Sequence, residues 1–139
     1  MRSARLLAIL SCALVPAAAF AGAPLQPPAQ PRAVLQGTTP QGWRITMRVS
    51  ADGWKVGTVA LRSRGIRCTT RRSGVQLYHF TGPFPIERGG AFGFRRRGVL
   101  FDGFFEKPQA AVGALELNVS TAAGRCKTGP IGWTAEVAS

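Results

Sequence analysis

Cys68, in the stretch GIRCTTRR, and Cys126, in GRCKTGPIGWTA, limit what this chain can fold into more than any other feature. They are the two cysteines left once a leader is removed. Arg2 and Arg5 make a basic start, LLAILSCALVPAAAF an apolar stretch, and Ala19-Phe20-Ala21 a small-x-small site. That is the arrangement of a cleaved secretory signal over residues 1–21. The apolar run contains Pro16 and is shorter than the roughly 20 apolar residues a spanning helix needs. Cys12 lies inside it and leaves with it, and no transmembrane segment is expected in the mature protein. The expected address is periplasmic or extracellular, where two cysteines of one domain pair. They close a loop of about 58 residues, for which chain entropy gives about 4 kcal/mol of stabilisation. Small cores are marginal, so in a one-domain chain such a crosslink is a large share of net stability. Reactive thiols or metal ligands are the alternatives, and two distant cysteines with one histidine favour neither.

Residues 22–42, GAPLQPPAQPRAVLQGTTPQG, are rich in proline and glutamine and nearly without periodicity, which predicts a flexible lead. Regular structure is expected over 43–139. Trp43, Ile45, Met47 and Val49 alternate with Arg44, Thr46, Arg48 and Ser50, as in a half-buried strand with a basic outer face. Ala51-Asp52-Gly53 is a hairpin turn signal. The returning strand changes apolar phase across Gly57, as a bulge causes. Ile66, Cys68 and Thr70 alternate with Arg67, Thr69 and Arg71, placing Cys68 inward. A further strand spans 75–80, ended by Gly82-Pro83. Short strands follow over 91–97, 99–105, 113–120 and 131–137, each bounded by glycine-containing turns. No stretch after the leader has a helical period. The expected fold is all-β, a single antiparallel sandwich or small barrel of eight or nine strands with one disulfide.

The chain has a formal charge of +12, of which about +10 remains after the leader. Arginine's rigid fork matches phosphates and carboxylates. Arg62, Arg64, Arg67, Arg71 and Arg72 crowd into one stretch, Arg95, Arg96 and Arg97 form a second, and Arg44 and Arg48 share the first strand's outer face. If these strands lie in one sheet, the arginines merge into an anion-binding face. The partners that suit it are an anionic glycan or lipid surface or an acidic protein. A solvated basic face without a ligand is the plainer alternative. Nucleic acid is not expected as a specific partner of an exported chain.

Catalytic chemistry is harder to find. His79 is the only histidine and lies mid-strand between Tyr78 and Phe80, a structural setting. No serine occupies a nucleophile elbow, and the chain cannot supply a convincing zinc or calcium ligand set. No metal, cofactor or catalytic residue is therefore assigned. Asp102, flanked by Phe101 and Phe104, with Glu106 and Glu87, is the one carboxylate group that could serve a glycoside-cleaving cleft. Trp43, Trp54 and Trp133 fall on inward phases; Tyr78 and one of Phe104 or Phe105 are the candidates for exposed stacking. Asn118-Val119-Ser120 matches a glycosylation acceptor, which a bacterial-looking leader discounts.

The stretches FTGPF (80–84), GGAFGF (89–94), LFDGFF (100–105), GAL (113–115) and GRCKTGPIGWTA (124–135), with IRC (66–68), resemble a kind of small exported bacterial domain of unassigned function. The resemblance covers about residues 43–137. It implies a β-rich domain in which a strand cysteine pairs with the one before the final tryptophan strand, and it implies no catalytic residues. The function expected from all this is a non-enzymatic exported protein that binds an anionic surface component or protein partner through its arginines. An inhibitor or accessory protein for an extracytoplasmic enzyme, and a small hydrolase of cell-wall or surface glycan, are the alternatives.

Overall fold

The computed structural model describes residues 25–139; the leader, residues 1–21, lies outside them. Nine strands follow in order: β1 (Val34–Thr38), β2 (Arg44–Val49), β3 (Lys55–Ser63), β4 (Gln76–Pro85), β5 (Ala91–Arg96), β6 (Val99–Lys107), β7 (Ala110–Thr121), β8 (Gly124–Lys127) and β9 (Ile131–Val137). All pairings are antiparallel, in the order β4-β3-β2-β1-β9-β7-β6-β5, with β8 on β7. The sheet curls into a nearly closed barrel with one disulfide, Cys68–Cys126. β1–β4 form one meander and β5–β9 a second. β8 and β9 are two pieces of one return along β7: β8 pairs with its last residues and β9 with its first, and Thr128 to Pro130 interrupt them.

The alternating positions face a single core. Ile45, Met47 and Val49 of β2, Val56, Val59 and Leu61 of β3, and Leu115, Leu117 and Val119 of β7 are all buried. In β6 and β7 the inward phase includes Gly103 and Gly113, which are strand partners. A Cβ on either would meet the Trp133 ring, at 2.9 and 2.7 Å. The two glycines thus make the space in which Trp133 stacks on Phe101, with centroids 4.9 Å apart. Apolar side chains fill the interior while the wall turns Arg, Thr, Glu and Gln outward, the reverse of a membrane-spanning barrel. No helix among the described residues is long and apolar enough to cross a bilayer.

Four expectations need correction. The lead is not featureless: β1 lies inside it, paired on one side with β2 and on the other with β9. Ahead of β1, Ala29 is fully buried; its N–H donates to the Gly53 carbonyl, and that of Gln30 to the Pro108 carbonyl. The chain thus crosses one end of the barrel, from the β2–β3 turn to the β6–β7 turn. Second, Gly82-Pro83 does not end β4. The peptide is cis, and the strand bulges there opposite Gly57, which is itself the extra residue against β2. Third, Ile66–Thr70 is not a strand. It is a loop held by isolated bridges, Arg67 to Arg72 and Cys68 to Cys126. Last, Trp54, given an inward phase, is only half-buried.

The barrel's seam lies between β4 and β5, which share no ladder. Side chains close it. Phe94 of β5 sits between Phe80 and Phe84 of β4, with centroids 4.8 and 4.3 Å away. Arg96 donates to the Thr81 carbonyl at 2.7 Å and Arg97 to that of His79. Their guanidiniums cover the Phe84 and Phe80 rings at 4.9 and 4.7 Å.

Candidate functional site

Register decides where the arginines meet. Arg44 and Arg62 are directly opposite in the β2–β3 ladder, at the end where β3 leaves for the loop to β4. That loop carries Arg64, Arg67, Arg71 and Arg72. Two ties to the barrel and one within the loop set its position. The Trp43 indole donates to the Arg64 carbonyl at 2.9 Å, the Ser73 hydroxyl accepts the Ile66 N–H at 3.0 Å, and the disulfide ties Cys68 to β8. Thr69 and Thr70 donate their N–H groups to the carbonyls of Arg125 and Ala123. The β5–β6 turn reaches the same end. Arg97 and Gly98 both have positive φ, the conformation of a two-residue hairpin turn, and the Asn118 N–H donates to the Gly98 carbonyl.

One end of the barrel therefore gathers Arg44, Arg62, Arg64, Arg67, Arg71, Arg72, Arg95, Arg96, Arg97, Arg125 and Lys127. Glu116, beside Arg95 in a shallow hollow, is the carboxylate nearest this group in the register. The far end carries Arg32, Lys55, Arg88 and Lys107 together with Asp52, Glu87, Glu106 and Glu136. A field of one sign is thus confined to one end. In water each cation adds little alone, but several within a Debye length of roughly 10 Å reinforce one another.

Not every candidate belongs to that field in the same way. Arg48 pairs with Thr58 toward the other end of β2, apart from the cluster. Arg96 and Arg97 are committed to the seam, and Arg72 donates to the Gly65 carbonyl at 2.9 Å. Arg44, Arg62, Arg64, Arg67, Arg71 and Arg95 are exposed or free to turn outward. Arg125 and Lys127 were missed from the sequence. Their signal was the exposed–buried–exposed alternation about Cys126, too short to read as a strand without β7 beside it.

The remaining candidates are dispersed. His79 is exposed, and its carbonyl accepts from Arg97. Asp102 is exposed over Gly93 on its neighbouring strand, and Glu87 and Glu106 are exposed at the far end. Tyr78 is half-buried against Phe80, and burial raises its phenol pKa above the usual 10.0. Of the two phenylalanines, Phe104 is 44% exposed and Phe105 is core. No group of three His, Cys, Asp or Glu side chains among the described residues is placed to hold a metal. Val75 and Leu77, 50% and 76% exposed, stand where the arginine loop enters β4. Compared with family models, curated proteins and solved structures, the chain matches none.

Proposed function

We propose that this is an exported, non-enzymatic binding protein whose arginine-rich barrel end associates with an anionic cell-surface component. The observation that carries the proposal is the segregation of charge: cations from five separate segments converge on one end. The disulfide suits an oxidising compartment and holds the loop bearing four of those arginines. The leader-like first residues agree with export. Retention of the mature protein on immobilised heparin and on anionic vesicles, as salt rises from about 50 to about 500 mM, tests the idea. Elution late in the gradient from both supports it; elution at the lowest salt from both removes it.

A second reading is favoured by Val75 and Leu77. An exposed apolar pair beside arginines suits an acidic protein partner, as an inhibitor or accessory protein would require. Under that reading Leu77→Ser abolishes capture of the partner while heparin retention is unchanged.

A further inference from the structure

β4 is an edge strand: β3 pairs with one side of it, and no strand among the described residues pairs with the other. The His79 carbonyl accepts from Arg97 and the Thr81 carbonyl from Arg96, so both residues turn their backbone groups to the seam. In an antiparallel strand that direction alternates with period two, and Leu77 therefore turns its N–H and carbonyl the same way. The two halves of this edge differ. From His79 to Pro85 it is guarded by the two guanidiniums, by Phe94, and by the bulge with Pro83. Cationic side chains, proline and bulges are common means of keeping an edge from pairing. From Val75 to Tyr78 it has none of them. β5 has already turned at Arg97 and Gly98, and the outward side chains here are Val75 and Leu77, both exposed. An apolar edge with free backbone groups is a liability in isolation and an asset where an extended chain is to be taken up.

Charge says which chain. Arg62 of β3 stands directly opposite Leu77 on the outer face, and the Arg97 guanidinium lies at the His79 carbonyl, the next residue along the same edge. Not one acidic residue occurs in β3, β4 or β5. A second copy paired edge to edge would bring two such arginine sets together, which like-charge repulsion opposes. We infer that the Val75–His79 edge of β4 takes up an extended acidic segment of a partner protein as an added strand. The inference rests on the acidic-partner reading above and specifies how that partner docks. The partner's main chain pairs with the N–H and carbonyl of Leu77 and with the N–H of His79. Its outer-face side chains lie against Leu77 and Arg62, where apolar groups and carboxylates are both matched.

A capped eight-residue peptide of alternating glutamate and valine, added to the mature protein at low ionic strength, tests this by binding and amide exchange. Saturable binding is expected, with exchange slowed about tenfold at the Leu77 and His79 amides and unchanged at Tyr78, whose pairing is with Leu61 of β3. The same peptide N-methylated at every residue keeps its charge and loses its N–H donors. It is expected to bind about tenfold more weakly and to protect neither amide. Leu77→Pro removes an N–H that the β3–β4 ladder does not use, and is expected to weaken the unmethylated peptide about tenfold with heparin retention unchanged. The comparison of the two peptides stands whether or not that variant folds. Equal binding of both peptides, or binding without protection at Leu77 and His79, would overturn strand addition and leave the acidic-partner reading in place. No saturable binding of either would overturn that reading as well. Protection of the same two amides in peptide-free protein as its concentration rises would assign the edge to a second copy and overturn the acidic occupant.

Discussion

At one end of the barrel the chain ahead of β1 crosses from the β2–β3 turn to the β6–β7 turn, held by backbone hydrogen bonds and by buried Ala29. At the other, the loop between β3 and β4 is held by a disulfide and by hydrogen bonds to β8. The first end mixes acids and bases; the second is almost wholly cationic. Like charges gathered in one place repel, and backbone hydrogen bonds worth about 1 kcal/mol each are a weak restraint against that. A covalent tie suits the charged end for this reason. The two ends are thus held differently: one by backbone hydrogen bonds and buried Ala29, the other by a covalent tie across a crowded charge pattern.

Removing the disulfide tests this difference most severely. Cys68→Ser with Cys126→Ser should cost about 4 kcal/mol in urea unfolding, from loop closure alone. Amide exchange should accelerate mainly over the arginine loop and β8 and least over residues 29–33. At the other end, Ala29→Asp should cost about 3 kcal/mol by burying an uncompensated charge, while the folded fraction keeps its heparin retention. Equal loss of retention would show that the ends are not separable.

The seam gives an intermediate case. Phe94→Ala should cost about 2 kcal/mol, because a half-buried ring is lost from between Phe80 and Phe84. The joint change Arg67→Glu and Arg71→Glu should move stability by no more than about 0.5 kcal/mol, since both are exposed, yet weaken heparin retention about tenfold. Arg96→Gln should show the opposite balance, with more effect on unfolding than on retention.

The smallest effect concerns Asp52. The Ser50 hydroxyl, then the Trp54 N–H, donate to its carboxylate and hold its pKa below the ordinary 3.8. Because the folded value is the lower one, the stabilisation is present above about pH 4 and is lost as pH falls through the folded pKa. Asp52→Asn should flatten that part of the thermal midpoint's pH profile without changing heparin retention.

Much of the architecture was legible because alternation is local. The β2–β3 hairpin, the Gly57 bulge, the inward face of β7 and the closing strand all follow from period two and glycine placement. β1 was not, since five residues including Gly37 amid proline and glutamine carry little signal. Its strand character comes from being flanked by β2 and β9. The candidate surface was only half legible: the arginine runs were plain, but register decided that Arg44 faces Arg62. Closure decided that Arg96 and Arg97 serve the seam.

Under the proposed function, binding belongs to one end. Backbone amide shifts recorded while a sulfated heparin oligosaccharide is added test it residue by residue. Saturable shifts are expected at Arg44, along Arg62 to Arg72, and at Arg95, Arg125 and Lys127, reversed by salt. Residues 29–33, Asp52 and Lys107 should stay still. Shifts centred on that capped end, or scattered evenly around the barrel, would contradict it.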